Sequence, residues 1–157
     1  MPTKTNKTTR AGLYGRVSTT GHGQDTELQL EELRLVAGQR GWKVVGEFED
    51  TGVSGAKEAR PGLDALMDAA RRGKLDVVVV WRFDRFARST RHLLTALEQF
   101  RQMGVEFLSL RENIDTSTPM GRAMFTIVAA VAELEREIIW ERIQAGVDRA
   151  RAKGVTF

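Results

Sequence analysis

Three short stretches of this chain concentrate residue types that handle phosphate. Tyr14, Arg16 and Ser18 follow one another at steps of two, so an extended backbone presents them on one side. Asp50, Ser54 and Arg60 form a second group. The third is Arg82-Phe83-Asp84-Arg85-Phe86-Ala87-Arg88, with Arg91 one turn further on. A phosphodiester under attack spreads charge over its non-bridging oxygens, and several guanidinium forks stabilise that charge without a metal. A serine hydroxyl then serves as nucleophile, its proton drawn off by its surroundings. Neither histidine is placed to act as the base, since His22 lies in a Gly-His-Gly turn and His92 opens a helix. No G-x-S-x-G elbow is present, which disfavours an acyl-transfer hydrolase, and no Walker or G-x-G-x-x-G loop cradles a nucleotide. Singly, each group has a plainer use: Ser18 as a turn or cap, Arg16 as a salt-bridged edge residue, the arginine run as a solvated loop.

For the three groups to act together, the fold must bring them to one edge. Residues 13–17 read as a strand, 26–39 as an amphipathic helix capped near Asp25 or Thr26, and 42–48 as a second strand. After a polar loop over 51–59, Pro61 opens a helix whose inner face is Leu63, Leu66, Met67 and Ala70, ended by Gly73. Residues 75–81 hold four consecutive valines, the mark of a strand buried on both sides. A helix over 90–103, stopped by Gly104, and a strand over 105–110 complete the alternation. This order predicts an α/β fold: a mostly parallel open sheet flanked by helices, with right-handed crossovers. In such a sheet, reactive groups gather outside the carboxyl ends of the strands.

From Pro119 to about Lys153 only Gly146 interrupts a helical pattern. A helix of that length, on the order of 50 Å, must project beyond a body whose radius of gyration is about 15 Å. Met120, Met124, Ile127, Val131, Leu134 and Ile138 repeat at steps of four and three, the spacing of a helix that packs on another helix. Phe125, Val128, Ala129 and Ala132 make this half apolar nearly all round. Beyond Ile138 the basic residues Arg142, Arg149, Arg151 and Lys153 take over. One half is built for protein contact and the other for solvent or a polyanion. The chain divides accordingly into a flexible basic leader over 1–10, an α/β catalytic domain over 11–118 and the long helix over 119–157.

The 157 residues are 41% hydrophobic and 29% charged, enough for one packed domain. The absence of cysteine excludes disulfides, thiolate metal sites and cysteine nucleophiles, and two histidines leave a His-rich metal centre disfavoured. No apolar run is long enough to span a membrane, and the net charge of +3 hints at an anionic partner.

Tyr14-Gly15-Arg16-Val17-Ser18-Thr19, Asp50-Thr51-Gly52-Val53-Ser54-Gly55, Arg60-Pro61-Gly62-Leu63, Phe83-Asp84-Arg85-Phe86-Ala87-Arg88 and Glu135-Arg136-Glu137 together resemble the resolvase/invertase family of serine recombinases, from about residue 11 to the end. The resemblance implies that Ser18 attacks a DNA phosphodiester, leaving a 5′-phosphoserine link and a free 3′-hydroxyl. Strands are then exchanged in a tetramer assembled from two dimers, and religated. It places Arg16, Arg60, Arg85 and Arg88 around the phosphate. Asp84 positions arginines or assists proton transfer, and Gln29, Asp50 and Ser54 support the site. It implies double-stranded DNA and further copies of the chain as partners, no cofactor, no metal, no membrane, and a cytoplasmic, nucleoid-associated location. Arg142, Arg149, Arg151 and Lys153 become candidate DNA contacts. Met120, Met124, Ile127, Val131, Leu134, Ile138 and Trp140 become candidate oligomer contacts.

Three departures stand out. The Gly21-His22-Gly23 turn lengthens the stretch between Ser18 and Gln29. Ile138-Ile139-Trp140 replaces residues that are commonly polar or basic, which points to Trp140 favouring the tetramer. The sequence stops at Val155-Thr156-Phe157, where the family usually continues into a helix-turn-helix reader, so a catalytic domain without its reader is expected. Two other readings stay open: a metal-dependent nuclease or topoisomerase-like fold with Asp50 and Asp84 as magnesium ligands, and a catalytically silent α/β module that dimerises through its last helix.

Overall fold

The computed structural model describes residues 7–17, 23–51, 60–87 and 89–154. Ser18, Ser54 and Arg88 of the expected site lie outside the described residues. In chain order the elements are β1 (Arg10–Val17), α1 (Gly23–Gln39), β2 (Lys43–Thr51), α2 (Pro61–Arg71), β3 (Val77–Val80), α3 (Phe83–Phe86), α4 (Thr90–Met103), β4 (Glu106–Ser109), β5 (Ile114–Asp115) and α5 (Pro119–Ala152). The sheet order is β2-β1-β3-β4-β5. β1 pairs in parallel with β2 and β3, β3 in parallel with β4, and β5 closes the edge antiparallel to β4.

The core explains the layering. All four valines of β3 are buried, because both sheet faces are covered. On one face Leu30 and Leu33 of α1 pack against Ala11, Leu13, Val77, Val79 and Leu108. On the other, α2 and α4 bring Leu66, Met67, Leu97 and Phe100 against Tyr14, Val78, Val80 and Phe107, and Phe125 and Val128 of α5 join them. Alternate residues of β1 and β3 thus serve different helices.

The differences from the expected elements have local causes. β1 opens at Arg10, ahead of the expected strand start: Arg10 is paired through Nε with Asp76 at 3.1 Å, while the Thr9 carbonyl accepts from Lys43 N–H. β2 continues past Phe48, because Glu49 and Asp50 stay in register with Gly15 and Arg16. α1 begins at Gly23, ahead of Thr26. The charged stretch after β3 holds one helical turn, α3, anchored by Phe86, which is fully buried. β5 has only two residues, too few to show an alternation.

α5 is a 34-residue helix, about 51 Å long. Thr118 caps it, its hydroxyl accepting from Gly121 N–H at 3.0 Å. A Cβ at Gly121 would stand 1.6 Å from the Asp115 carbonyl oxygen, so only glycine lets the helix start against β5. Phe125 and Val128 face the body, and the stripe from Met120 to Ile138 faces outward. Among the described residues no helix is long and apolar enough to cross a membrane.

Candidate active site

The connection from β1 runs to β2 on one side of the sheet, and that from β3 to β4 on the other. The crevice where the two directions part, outside the carboxyl ends of β1 and β3, is where an open α/β sheet binds its ligand. Tyr14 is in register with Val80, so Arg16 stands level with the start of the segment after β3. Arg16 is also directly opposite Asp50 on β2. Two of the three reactive stretches therefore flank the crevice, and the third adjoins it through Asp50 and Arg60.

The floor of the site is a hydrogen-bonded hub. The hydroxyl of Tyr14, which is buried, donates to Asp50 Oδ2 at 2.8 Å. Asp50 also accepts from the backbone N–H groups of Gly62 at 2.7 Å and Leu63 at 2.8 Å. Asp50 thus caps α2 from a neighbouring strand, in place of the Arg60 side chain, which makes no cap bond. This explains the Arg60-Pro61-Gly62-Leu63 run. Pro61 starts the helix, Gly62 and Leu63 give their N–H groups to Asp50, and Leu63 enters the core. A Cβ at Gly62 would stand 2.4 Å from the Glu49 carbonyl oxygen, so no larger residue allows this approach. Burial first, and then the bond to Asp50, push the Tyr14 phenol well above its ordinary range, against the nearby charges of Arg60 and Arg16. A phenol held protonated in this way is a poor nucleophile.

The arginines are set around this hub. Gln29 of α1 clamps the backbone of Arg16: its Oε1 accepts from Arg16 N–H at 3.3 Å and its Nε2 donates to the Arg16 carbonyl at 3.2 Å. Arg60 is 6% exposed, and its Nη1 donates to the Phe86 carbonyl at 2.6 Å. That bond ties the start of α2 to the end of α3, next to Arg85. Arg85 is half-buried, and its Nε is buried with no hydrogen-bond partner among the described residues. A buried N–H left so costs roughly 1–3 kcal/mol.

Asp84 departs from the group. It lies exposed at the rim and pairs with Arg82 Nε at 3.2 Å. Asp50 and Asp84 therefore do not form a metal pair: Asp50 has three donors on its oxygens and Asp84 turns to a guanidinium. Among the described residues no group of three or more His, Asp or Glu side chains could hold a metal ion. Two features of the site escaped the sequence. Tyr14 is its buried hub, signalled only by its step of two from Arg16. The Phe86 carbonyl is a backbone acceptor that residue type does not reveal.

On α5, Met120, Met124, Ile127, Val131, Leu134, Ile138 and Trp140 are all exposed, Trp140 to 65%. Arg142, Arg149, Arg151 and Lys153 are exposed as well, the last three gathered at the far end of the helix.

The chain is an α/β domain on a mostly parallel sheet with a long outlying helix, and comparison with known proteins gives its family. The family model for the resolvase N-terminal domain matches residues 11–156. A DNA-invertase of Escherichia phage P1 is 47% identical over 141 residues, covering 90% of this chain and 70% of that protein. The serine recombinase gin of Escherichia phage Mu is 42% identical over 141 residues, covering 90% of this chain and 67% of that protein. The crystal structure of a resolvase family site-specific recombinase from Streptococcus pneumoniae matches with a TM-score of 0.78 at 32% identity, over 91% of this chain and 99% of that one. The chain belongs to the resolvase family of serine recombinases. It is an enzyme of site-specific DNA recombination.

Proposed function

We propose that this chain cleaves and rejoins double-stranded DNA through Ser18. The Ser18 oxygen attacks phosphorus and loses its proton to its surroundings. The bond from phosphorus to the 3′ oxygen breaks, and that oxygen leaves as a 3′-hydroxyl, taking up a proton. A 5′-phosphoserine link remains, and attack on it by a 3′-hydroxyl of another strand reverses the step and restores the serine. Arg16, Arg60, Arg85 and Arg88 stabilise the charge on the non-bridging oxygens, and Gln29 and Asp50 hold Arg16 and the start of α2 in place. Asp84 acts through its arginine neighbours.

The observation that carries this reading is that Arg16 and Arg60 both lie near the Tyr14–Asp50 hub, with Arg60 bound to the Phe86 carbonyl next to Arg85. We further assign residues 11–118 as the catalytic domain and 119–157 as the helix of self-association and DNA contact. Copies of the chain join as dimers, and two dimers as the active tetramer, through the exposed stripe from Met120 to Ile138 and through Trp140. Arg142, Arg149, Arg151 and Lys153 meet phosphates, in a cytoplasmic, nucleoid-associated setting.

The test is a nicked suicide DNA substrate, with the protein–DNA adduct trapped in detergent and its linkage mapped. Native chain gives an adduct through 5′-phosphoserine in the presence of a chelator, and Ser18→Ala gives none. An adduct that survives Ser18→Ala, or one linked through a 3′-phosphotyrosine, overturns the assignment.

A further inference from the structure

Ser109 is a hydroxyl with no solvent exposure at the end of β4, next to the buried Phe107 and Leu108. Its Oγ donates to Glu112 Oε2. The other carboxylate oxygen, Glu112 Oε1, accepts from Phe83 N–H, the first backbone donor of α3, at 3.2 Å. Glu112 stands on the turn between β4 and β5, beside Asn113, whose φ of 54° lies in the left-handed region that makes such a turn tight. Ser109 is in register with Val80, the last residue of β3. The carboxylate is thus hung from the strand beside the one that feeds α3.

A single helical turn does not persist alone, because one hydrogen bond does not offset the ordering of its residues. Among the described residues α3 is held at four places, one of them the Phe83 ring, stacked on Phe107 at 6.1 Å between centroids. The Phe86 ring is set in the core, 5.2 Å from Phe107 and 6.0 Å from Tyr14 between centroids. The Phe86 carbonyl receives Arg60. The Phe83 N–H is held by Glu112. At the end from which Asp84 and Arg85 follow, the Phe83 ring supplies non-directional packing, and Glu112 supplies the directional bond to the backbone.

We propose that Glu112, oriented by Ser109, is a positioning residue for strand cleavage. It fixes the rotation of α3 and so aims Arg85 into the crevice while keeping the Phe86 carbonyl under Arg60. This role rests on the proposed chemistry at Ser18 and extends it to a residue that touches no substrate.

The experiment measures single-turnover adduct formation at saturating nicked DNA, equilibrium DNA affinity and thermal midpoint, on the full chain. Variants are Glu112→Ala, Glu112→Gln, Ser109→Ala, Arg85→Ala, the Glu112→Ala/Arg85→Ala double variant and Ser18→Ala. Glu112→Ala is expected to slow adduct formation by about 10- to 100-fold with affinity changed less than about twofold, because positioning acts on the reacting geometry and not on the ground-state contacts. Glu112→Gln, with one acceptor oxygen left, and Ser109→Ala are expected to fall between. Glu112→Gln carries the test should the alanine variant fail to fold. In the Arg85→Ala background the loss from Glu112→Ala is expected to shrink to about twofold, as it must if Glu112 acts through Arg85. A plain stabilising role would instead lower the midpoint and leave the two losses multiplicative. Wild-type rates in Glu112→Ala and Glu112→Gln, or multiplicative losses, overturn the proposal while Ser18→Ala remains inert. An adduct still formed by Ser18→Ala removes the underlying chemistry, and the proposal falls with it.

Discussion

At the scale of single residues, the site separates groups that build from groups that react. Tyr14, Asp50 and Gln29 are polar and buried, and their described bonds go to protein: Tyr14 to Asp50, Asp50 to α2, Gln29 to the Arg16 backbone. Arg85 keeps a buried N–H without a partner among the described residues, in keeping with its proposed role toward the phosphate. The difference predicts how substitutions behave. Arg85→Ala is expected to lower the cleavage rate by about 10²- to 10³-fold, the usual cost of one lost donor to a developing anion. Arg85→Lys recovers little of it, since an ammonium is a point charge and cannot present Nε and Nη together. Single-turnover kinetics checks this, and a lysine variant at the native rate would show that charge alone suffices.

At the scale of elements, the joint between β5 and α5 concentrates charge chemistry away from the crevice. Asp115 is largely buried. It accepts from Ser117 N–H at 2.9 Å and from the Ser117 hydroxyl, and it pairs with Arg40 Nη1 at 2.5 Å. Burial alone would raise its carboxyl, but the bonds from Ser117 and Arg40 overcome burial and hold it below the ordinary range. A depressed carboxylate contributes stability that is present above its unfolded pKa of about 3.9 and is lost as pH falls through the folded value. Asp115→Asn is therefore expected to destabilise the chain near pH 7, with the gap to the native protein closing below about pH 4. Thermal melts across that range decide it; a gap that stays constant into acid would mean the charge is irrelevant. This joint also shows what a sequence makes legible. Amphipathic helices and the run of valines announced themselves, because burial on a periodic face leaves a mark in residue type. β5 and α3 did not, being too short for a period, and the Asp50 cap spans two elements that no local pattern connects. Of the site, the arginines were readable as charged groups at strand ends. The hub beneath them was not, because the partner of a buried hydroxyl is set by register between strands.

At the scale of the whole molecule, the surface still to be accounted for is α5. Its first half has two apolar sides, one on the body through Phe125 and Val128, the other outward through Met120, Met124, Ile127, Val131, Leu134 and Ile138. Ile143 stands about five turns beyond Phe125 on the body-facing side, with Ile139 close to the same line, but at that distance the body is left behind. Ile139, Trp140 and Ile143 are 57%, 65% and 54% exposed. In the proposed dimer, a second copy paired along the outward stripe would cover one side and leave this distal patch bare. Burying a side chain of this kind is worth roughly 1.5–3 kcal/mol, so a further pair of helices gains by covering it. Two association steps are expected, and they should respond to different substitutions. Ile127→Asp, in the middle of the outward stripe, abolishes the first step and leaves monomer. Trp140→Arg leaves the first intact and moves the second to higher concentration by about tenfold or more, a shift of at least 1.4 kcal/mol. Sedimentation equilibrium over a concentration series separates the two steps. If Trp140→Arg and the native chain reach the larger assembly at the same concentration, the distal patch takes no part in it, and Trp140 must be covered in the dimer or by DNA.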